Sequence, residues 1–429
     1  MKCINLFTRY PEPGKAKTRL IPQIGAKQAA ALQRGMTGHT VLRARLWAAE
    51  ENAAEIVVRY TGAPKSAFRK WLGPDLVYFP QGEGDLGERM QRAVEEGFQA
   101  GATKVVLLGC DCPDASPDFL SAAFHALDDH DIVIGPAHDG GYYLIGMKRP
   151  HAELFRGPEW GTDSVYARTQ QIIRSHDWSY KELDRLHDVD EAESLPLWER
   201  HVRPNKPGSI SVVIPALNEA AHIEACIQSA RAGADEVIVV DGGSTDDTRE
   251  RAHAAGARVM NAPKGRAVQL NLGAYHAKGE YLLFLHADSR LPTGFADAVR
   301  RALQSPGTHA GAFSLHIDAL GVGYRAIEWG VRQRSRWFDL PYGDQALFVL
   351  RETFMRTGGF AQIPIMEDVD WVRRAKMNTR LAIRKEAITV SSRRWHRLGL
   401  LRTTLLNQGI LLSAALGISY GRLANWYRR

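Results

Sequence analysis

Apolar runs of four to six residues alternate along this chain with longer segments whose apolar positions fall at helical spacing. Alternation on that scale predicts α/β layering around a largely parallel sheet. In the first half CINLF, EIVVRY, KVVLLG, DIVIGP and YYLIGM read as strands, and AKQAAALQRGMTGHTVLRARLW, GERMQRAVEEGFQAG and SPDFLSAAFHALDD read as helices. The pattern breaks at PLWERHVRPNKPGS, whose prolines and mixed charges predict a linker. It restarts with strands SISVVIP, EVIVV, RVM and YLLFLH and helices EAAHIEACIQSARAG, DDTRERAHAAG and GRAVQLNLGAYHAKG. Two domains of like architecture are expected, residues 1–200 and 209–429, joined by 201–208 with the boundary near Asn205 to Gly208, and no obvious sequence repeat links them.

A length of 429 residues exceeds one ordinary core and agrees with that division. Hydrophobic and charged contents of 45% and 24% are those of a globular protein and exclude bulk disorder. The formal charge of +7 is spread along most of the chain, so no nucleic-acid partner is expected. Arg384 to Arg429 is the exception, with nine Lys or Arg against the single acid Glu386, an asymmetry that suits an anionic lipid or a pyrophosphate. Within it TTLLNQGILLSAALGISYG, residues 403–421, is uncharged and near membrane-span length. Its Thr, Asn, Gln, Ser and Gly content predicts a packed or interfacial helix rather than a spanning one. Cys3, Cys110, Cys112 and Cys226 show neither zinc-ligand spacing nor a disulfide framework, and a polar motif follows MKCINLF before any signal-peptide core forms. The expectation is a cytoplasmic protein, with the basic, apolar C-terminal stretch as a route to peripheral contact at the inner face of the membrane.

Ligands of a doubly wound sheet bind beyond the carboxyl ends of its strands. In the second half those positions hold Pro215, Asn218 and Glu219, then Asp241 within VVDGGSTDDT, then His286 and Asp288. Asp241 can accept hydrogen bonds from a base or ribose while Gly242, Gly243 and Ser244 admit a close ligand; the same residues also make a tight turn with Ser244 or Thr245 as helix cap. Asp288 suits Mg²⁺ or Mn²⁺, and His286 shares its side of an extended chain. In the first half PEPGKAKTRL sets Lys15, Lys17 and Arg19 after the first strand, either as a phosphate cradle or as solvated charge. Asp111 closes a strand, Asp139 precedes two glycines, and LHDVDEAE supplies Asp188 and Asp190. Singly these are turn formers; together they have the character of a metal-dependent nucleotidyl-transfer site.

The order SVVIPALNE, VDGGSTDDT, KGRAVQLNLGA, LLFLHADS, GGF, MEDVDW and RRW resembles the family-2 inverting glycosyltransferases of the nucleotide-diphospho-sugar (GT-A) fold over most of residues 209–397. GRAVQLNLGA, FLHADS, GDQA and MEDVDW resemble the bacterial subgroup named for arsenosugar biosynthesis. That resemblance implies Asp241 on the nucleobase with Pro215 and Glu219 near it, and Lys264, Arg266 and Gln269 along the donor. It implies Asp288 on a metal, Asp368 as general base, and Asp344 and Gln345 beside the acceptor. Arg393, Arg394 and Trp395 would cover the diphosphate, Arg393 otherwise being solvated, and Glu367 and Asp370 read equally as helix N-terminal acids. His286 stands where many relatives carry the first Asp of a DxD triplet.

KAKTRL, GDLGERM, GCDCPD, DGGYYLIG, WGTDSV and DVDE in the first half resemble a bacterial family of uncharacterised proteins found beside or fused to such transferases. They are more distantly similar to phospholactate guanylyltransferases and other GT-A nucleotidyltransferases. The implied fold is two tandem Rossmann-like GT-A domains with C-terminal helices. By this likeness Lys15, Lys17 and Arg19 bind phosphates and Asp111, Asp188 and Asp190 bind metal. The implied partners are a nucleotide sugar and a small-molecule acceptor, with an NTP and a sugar phosphate for the first half. A lipid or carotenoid acceptor at a membrane surface, with a non-catalytic first half, is the alternative.

Overall fold

The computed structural model describes residues 1–51, 53–156, 159–377, 379–416 and 418–428, with the backbone alone at 394, 397, 398, 401, 415 and 428. The chain forms two compact units, 1–203 and 204–429.

In the first unit strands β1 (Lys2–Arg9), β2 (Ala54–Thr61), β3 (Val77–Pro80), β4 (Lys104–Gly109), β5 (Ile132–Pro136), β6 (Tyr142–Met147) and β7 (Tyr180–Glu182) form a sheet of order β3-β2-β1-β4-β6-β5-β7. The first four pair in parallel, with Leu6 between Val58 and Leu108. Strand β6 is antiparallel to β4 and β5, because the short loop after Pro136 turns the chain straight back. Helix Leu86–Gln99 starts at a reciprocal cap, Asp85 accepting the Glu88 N–H and Glu88 accepting the Asp85 N–H, both at 2.9 Å.

The second unit contains β8 (Ile210–Ala216), β9 (Glu236–Asp241), β10 (Arg258–Asn261), β11 (Tyr281–Phe284), β12 (Ser289–Arg290), β13 (Thr308–Asp318), β14 (Phe348–Leu350) and β15 (Arg380–Ser391). Their order is β10-β9-β8-β11-β14-β13-β15-β12. With the two-residue β12 set aside, this repeats the first sheet position for position, antiparallel β14 taking the place of β6. Both sheets are therefore largely parallel, as expected, but mixed: β6 in the first and β14 and β12 in the second run against the other strands. Three-residue β14 is too short for a period-two pattern to show its direction.

Strand β8 is apolar on both faces because both are covered. Val212 and Ile214 pack with Ile227 and Val299, whereas Val213 packs with Leu270 and Trp371. The expected linker begins with a helix, Leu195–Val202, which belongs to the first unit: buried Trp198 packs so close to Gly35 that a Cβ there would lie 2.6 Å from the indole. Amphipathic packing outweighs the mixed charges of that stretch. At the other end, Ile410, Leu423 and Ala424 of helices Leu400–Ala415 and Tyr420–Arg428 are buried against Ile365, Met366 and Val369. Among the described residues no helix is long and apolar enough to cross a membrane.

Candidate functional site

The carboxyl ends of β8 and β11 in the second unit open on a cavity of about 1130 Å³ lined by Pro215, Glu219, Lys264, Arg266, Gln269, His286, Asp288, Asp344, Asp368, Arg393 and Trp395, among others. Ten of the site residues expected from the sequence thus meet in one cavity, with Arg393 beside them. The side chain of Arg394 lies outside the described residues.

Asp241 is not part of that lining. It is buried, and Gly243 N–H, Ser244 N–H and Ser244 O–H all donate to its carboxylate, so it braces the turn after β9. Asn218, in the left-handed region at φ 56°, ties β8's end to the same turn: its N–H donates to Ser244 Oγ and its Oδ1 accepts from Thr245 N–H, each at 2.8 Å. Gln269 spans the ends of β8 and β9 by donating to the Ala216 and Val240 carbonyls at 2.8 Å. Gln345 is buried away from the lining, donating to Phe313 O and accepting from Arg334, Ser335 and the Tyr342 N–H. These four residues position loops.

The acidic first turn of helix Glu367–Ala375 forms one wall. Buried Glu367 is paired with Arg266, the first residue of helix Arg266–His276, and Asp370 is paired with Arg374 at 2.8 Å. Among the described residues Asp368 has no cationic partner; Gly343 N–H donates to its Oδ2 at 2.6 Å and Val369 N–H to its Oδ1 at 2.8 Å. A Cβ on Gly343 would lie 2.8 Å from Asp368 Oδ2 and 3.3 Å from His286 Nε2, so glycine lets the three segments converge. Tyr342 carries the Arg334 guanidinium 3.4 Å from its ring centroid. Its hydroxyl and Asp344 Oδ1 are buried without a hydrogen-bond partner among the described residues.

Burial, then Arg266, lowers the pKa of the His286 imidazole against the pull of Asp288, Asp344 and Asp368, which favours the neutral ring. Burial raises the Asp344 carboxyl above the usual range; Arg334 and His286 oppose this and Asp368 adds to it. Asp288 is held by Arg393 at 3.1 Å, and the same guanidinium makes a two-pronged pair with Glu219.

In the first unit Lys17, in the left-handed region at φ 46°, buries its ammonium on Asp190 and 3.7 Å from Asp111. Burial disfavours that charge, yet Asp111 and Asp190 hold the Lys17 pKa above its ordinary value. Arg19 reaches within 4.0 Å of Asp190, whereas Lys15 turns outward to Glu12. Of the basic triplet, then, Lys17 alone is sunk among the carboxylates. Among the described residues of either unit, no three His, Cys, Asp or Glu side chains are arranged to hold a metal ion, and at Asp111 and Asp190 the ammonium provides the local cation.

Burial, followed by Asp139, Asp190 and Asp111, pushes Asp188 up to about 6. An acid whose folded pKa exceeds its unfolded value of about 3.9 holds its proton more tightly when folded. It therefore supports the fold fully below pH 4 and loses that contribution as pH rises to 6. Thermal melts across that window are expected to show the wild type losing stability relative to Asp188→Asn; parallel curves would refute the assignment.

Residues 211–364 match the model of Glycosyl transferase family 2, and residues 45–162 match that of an uncharacterized protein conserved in bacteria (DUF2064). Over 230 residues the chain is 30% identical to a PGL/p-HBAD biosynthesis glycosyltransferase of Mycobacterium bovis (strain BCG / Pasteur 1173P2), spanning 48% of this chain and 86% of that protein. The chain belongs to glycosyl transferase family 2. A glucosyl-3-phosphoglycerate synthase of Mycobacterium tuberculosis is 42% identical over 95 residues, 19% of this chain and 29% of its own. A crystal structure from Desulfovibrio desulfuricans G20, provisionally named a nucleotide-diphospho-sugar transferase, is similar at 34% identity over 48% of this chain and 89% of its own, with a TM-score of 0.44.

The cavity of this family-2 chain also contains residues that the sequence did not single out. Tyr342 precedes the quoted GDQA, and Asn407, Ile410, Leu411 and Tyr427 come from the C-terminal helices. Their apolar spacing reported a packed helix but not what it packs against.

Proposed function

We propose that the second unit transfers a sugar from a nucleoside-diphosphate donor to a hydroxyl acceptor with inversion, and that the first unit makes or handles the activated nucleotide. The observation that carries this reading is the meeting of Asp368, free of any described cation, with Asp288, Lys264 and Arg266 in one cavity. Asp368 takes the acceptor proton as the new glycosidic bond forms on one face of the sugar and the nucleotide leaves from the other. Lys264 and Arg266 stabilise the charge on the departing diphosphate. Tyr342 Oη and Asp344 Oδ1, buried without partners among the described residues, have hydrogen-bonding capacity left for substrate.

A divalent ion fits as a shared ligand rather than a resident one. Asp288 and the neutral His286 offer one oxygen and one nitrogen, a set that suits Mn²⁺ better than Mg²⁺, with donor phosphates completing it. When bound, such an ion neutralises charge on the diphosphate. Arg393 releases Asp288 to this site and takes up diphosphate oxygens in its place.

Arsenosugar-type or other small-molecule glycosides are the product class in this reading, with a lipid-borne acceptor as the alternative. A screen of UDP-, GDP- and dTDP-sugars with Mn²⁺ or Mg²⁺ is expected to show release of one nucleoside diphosphate. EDTA should abolish the release, and Asp288→Ala should lose its metal-dependent part. Release that ignores both changes would sink the metal site. For the first unit, an NTP and a sugar phosphate should yield pyrophosphate, lost in Asp111→Ala. If no combination yields pyrophosphate, that unit is a nucleotide-binding module without catalysis.

A further inference from the structure

Helix Leu400–Ala415 separates two apolar regions. Its inner side contributes Thr403, Asn407, Ile410 and Leu411 to the cavity, beside Ile365 and Met366 just before the proposed base Asp368. Its outer side exposes Leu405 and Leu412 at 71% and 65%, seven positions apart and so on one face, and Leu416 just past its end is 75% exposed. The cavity is thus charged where Lys264, Arg266 and Asp288 lie and apolar where Ile410 and Leu411 line it with Ile365 and Met366.

A second helix repeats the exposure. Val322–Phe338 packs beside the first, where a Cβ on Gly323 would meet Leu400 at 3.1 Å. It buries Tyr324, Glu328 and Ser335 and exposes Val322, Ala326, Trp329 and Trp337 at a spacing of i, i+4, i+7, i+15, which again is one face. Arg332 and Arg336 are exposed along that face, and the helix's one acid, Glu328, is buried and paired with Arg325. Exposed Arg402 adds a further cation on the neighbouring helix. Tryptophan and arginine interleaved on an exposed apolar face match the headgroup region of a bilayer, and unopposed arginines match anionic lipid.

We propose that helices Val322–Phe338 and Leu400–Ala415 dock this protein on an anionic membrane surface, and that the acceptor is the hydroxyl of an amphiphile whose apolar body enters the cavity along Ile410 and Leu411. The acceptor half rests on the glycosyl-transfer reading; the docking half stands on the surface alone.

Full-length protein is to be sedimented with phosphatidylcholine vesicles containing or lacking phosphatidylglycerol, at low and high salt, with nucleotide binding measured in parallel by titration with UDP, GDP and dTDP. Binding is expected only with phosphatidylglycerol and only at low salt. Arg332→Gln/Arg336→Gln should weaken it about thirtyfold, from roughly fivefold per lost charge, and Trp329→Ser/Trp337→Ser should weaken it too. Neither double variant should change nucleotide affinity or the melting curve, because the residues are exposed. Protein that binds nucleotide but stays in the supernatant with phosphatidylglycerol at low salt overturns the docking. So does a dimer, seen by light scattering, that Trp329→Ser/Trp337→Ser dissociates without any vesicle binding. With the donor found in the screen, transfer to a long-chain alcohol in vesicles should exceed transfer to glycerol, and half-buried Leu411→Ser should shrink the ratio of the two rates. Equal rates on both acceptors overturn the acceptor half. Absence of any nucleotide binding refutes the transferase reading and leaves the vesicle result standing by itself.

Discussion

Replacing Asp368 by Asn is expected to lower kcat for glycosyl transfer by about 10²–10⁴-fold, the range for loss of a positioned general base, with donor affinity unchanged. Three carboxylates occupy the first turn of helix Glu367–Ala375, and helix-dipole stabilisation alone accounts for acids there. Their partners separate them. Glu367 is neutralised by Arg266 of another helix, and Asp370 by Arg374 one turn along its own. Among the described residues Asp368 receives the Gly343 and Val369 N–H groups and no cation, so its carboxylate is held in place with its charge available to a proton. Asparagine keeps the shape and can still accept one of those hydrogen bonds, but it has no negative charge to draw a hydroxyl proton. Single-turnover transfer with saturating donor measures the effect. A decrease of less than about tenfold would assign the base elsewhere, because one positioned proton transfer contributes more than that.

Arg266→Met is expected to destabilise the second unit by about 3–5 kcal/mol, the cost of leaving a buried carboxylate without its cation. Glu367 is 2% exposed, and Arg266 Nε is the donor that holds it. The Glu367 charge in turn is the main reason the Arg266 pKa lies above the usual guanidinium value. Thermal or urea unfolding of the full chain resolves the loss as a lowered transition of one unit, roughly 6–20 °C for a body of this size. Arg266→Met/Glu367→Leu should recover most of it, since an apolar pair of similar volume carries no desolvation penalty. Arg266 also lines the cavity, so recovered stability without recovered transfer would separate its two roles. A single variant as stable as the wild type would show that water reaches Glu367 and that the pair holds little of the fold.

Much of the fold is visible in local pattern. Strands β1, β4, β8, β9 and β11 are continuous apolar runs because both faces of each are covered, and a buried run is the strongest signal a short segment can carry. Strands β3, β7 and β14, of three or four residues, and the helices Lys65–Leu72 and Val165–Ser175 are too short or too weakly periodic to stand out. Strand direction was also hidden, since period-two alternation is the same in either sense.

In the site, its place at a strand end brought Asp288 forward as a candidate, and the family resemblance brought Asp344 and Asp368. That resemblance ranked Asp241 and Gln345 alongside them, whereas the folded chain spends their polar atoms on its own turns and carbonyls. Lys17 shows the same limit in the first unit: its spacing marks a basic loop, but a partner 173 positions away determines that it faces carboxylates.

What the sequence by itself determined is the set of elements and the chemistry placed at their ends, because strand and helix periodicity and cap preferences act over a few residues. What only the tertiary structure decided is which of those groups remain free to act. Glu367 meets Arg266 across 101 positions and Arg393 meets Glu219 across 174, so the charge left on Asp368 and the apolar wall provided by helix Leu400–Ala415 follow from packing between distant segments rather than from any local pattern.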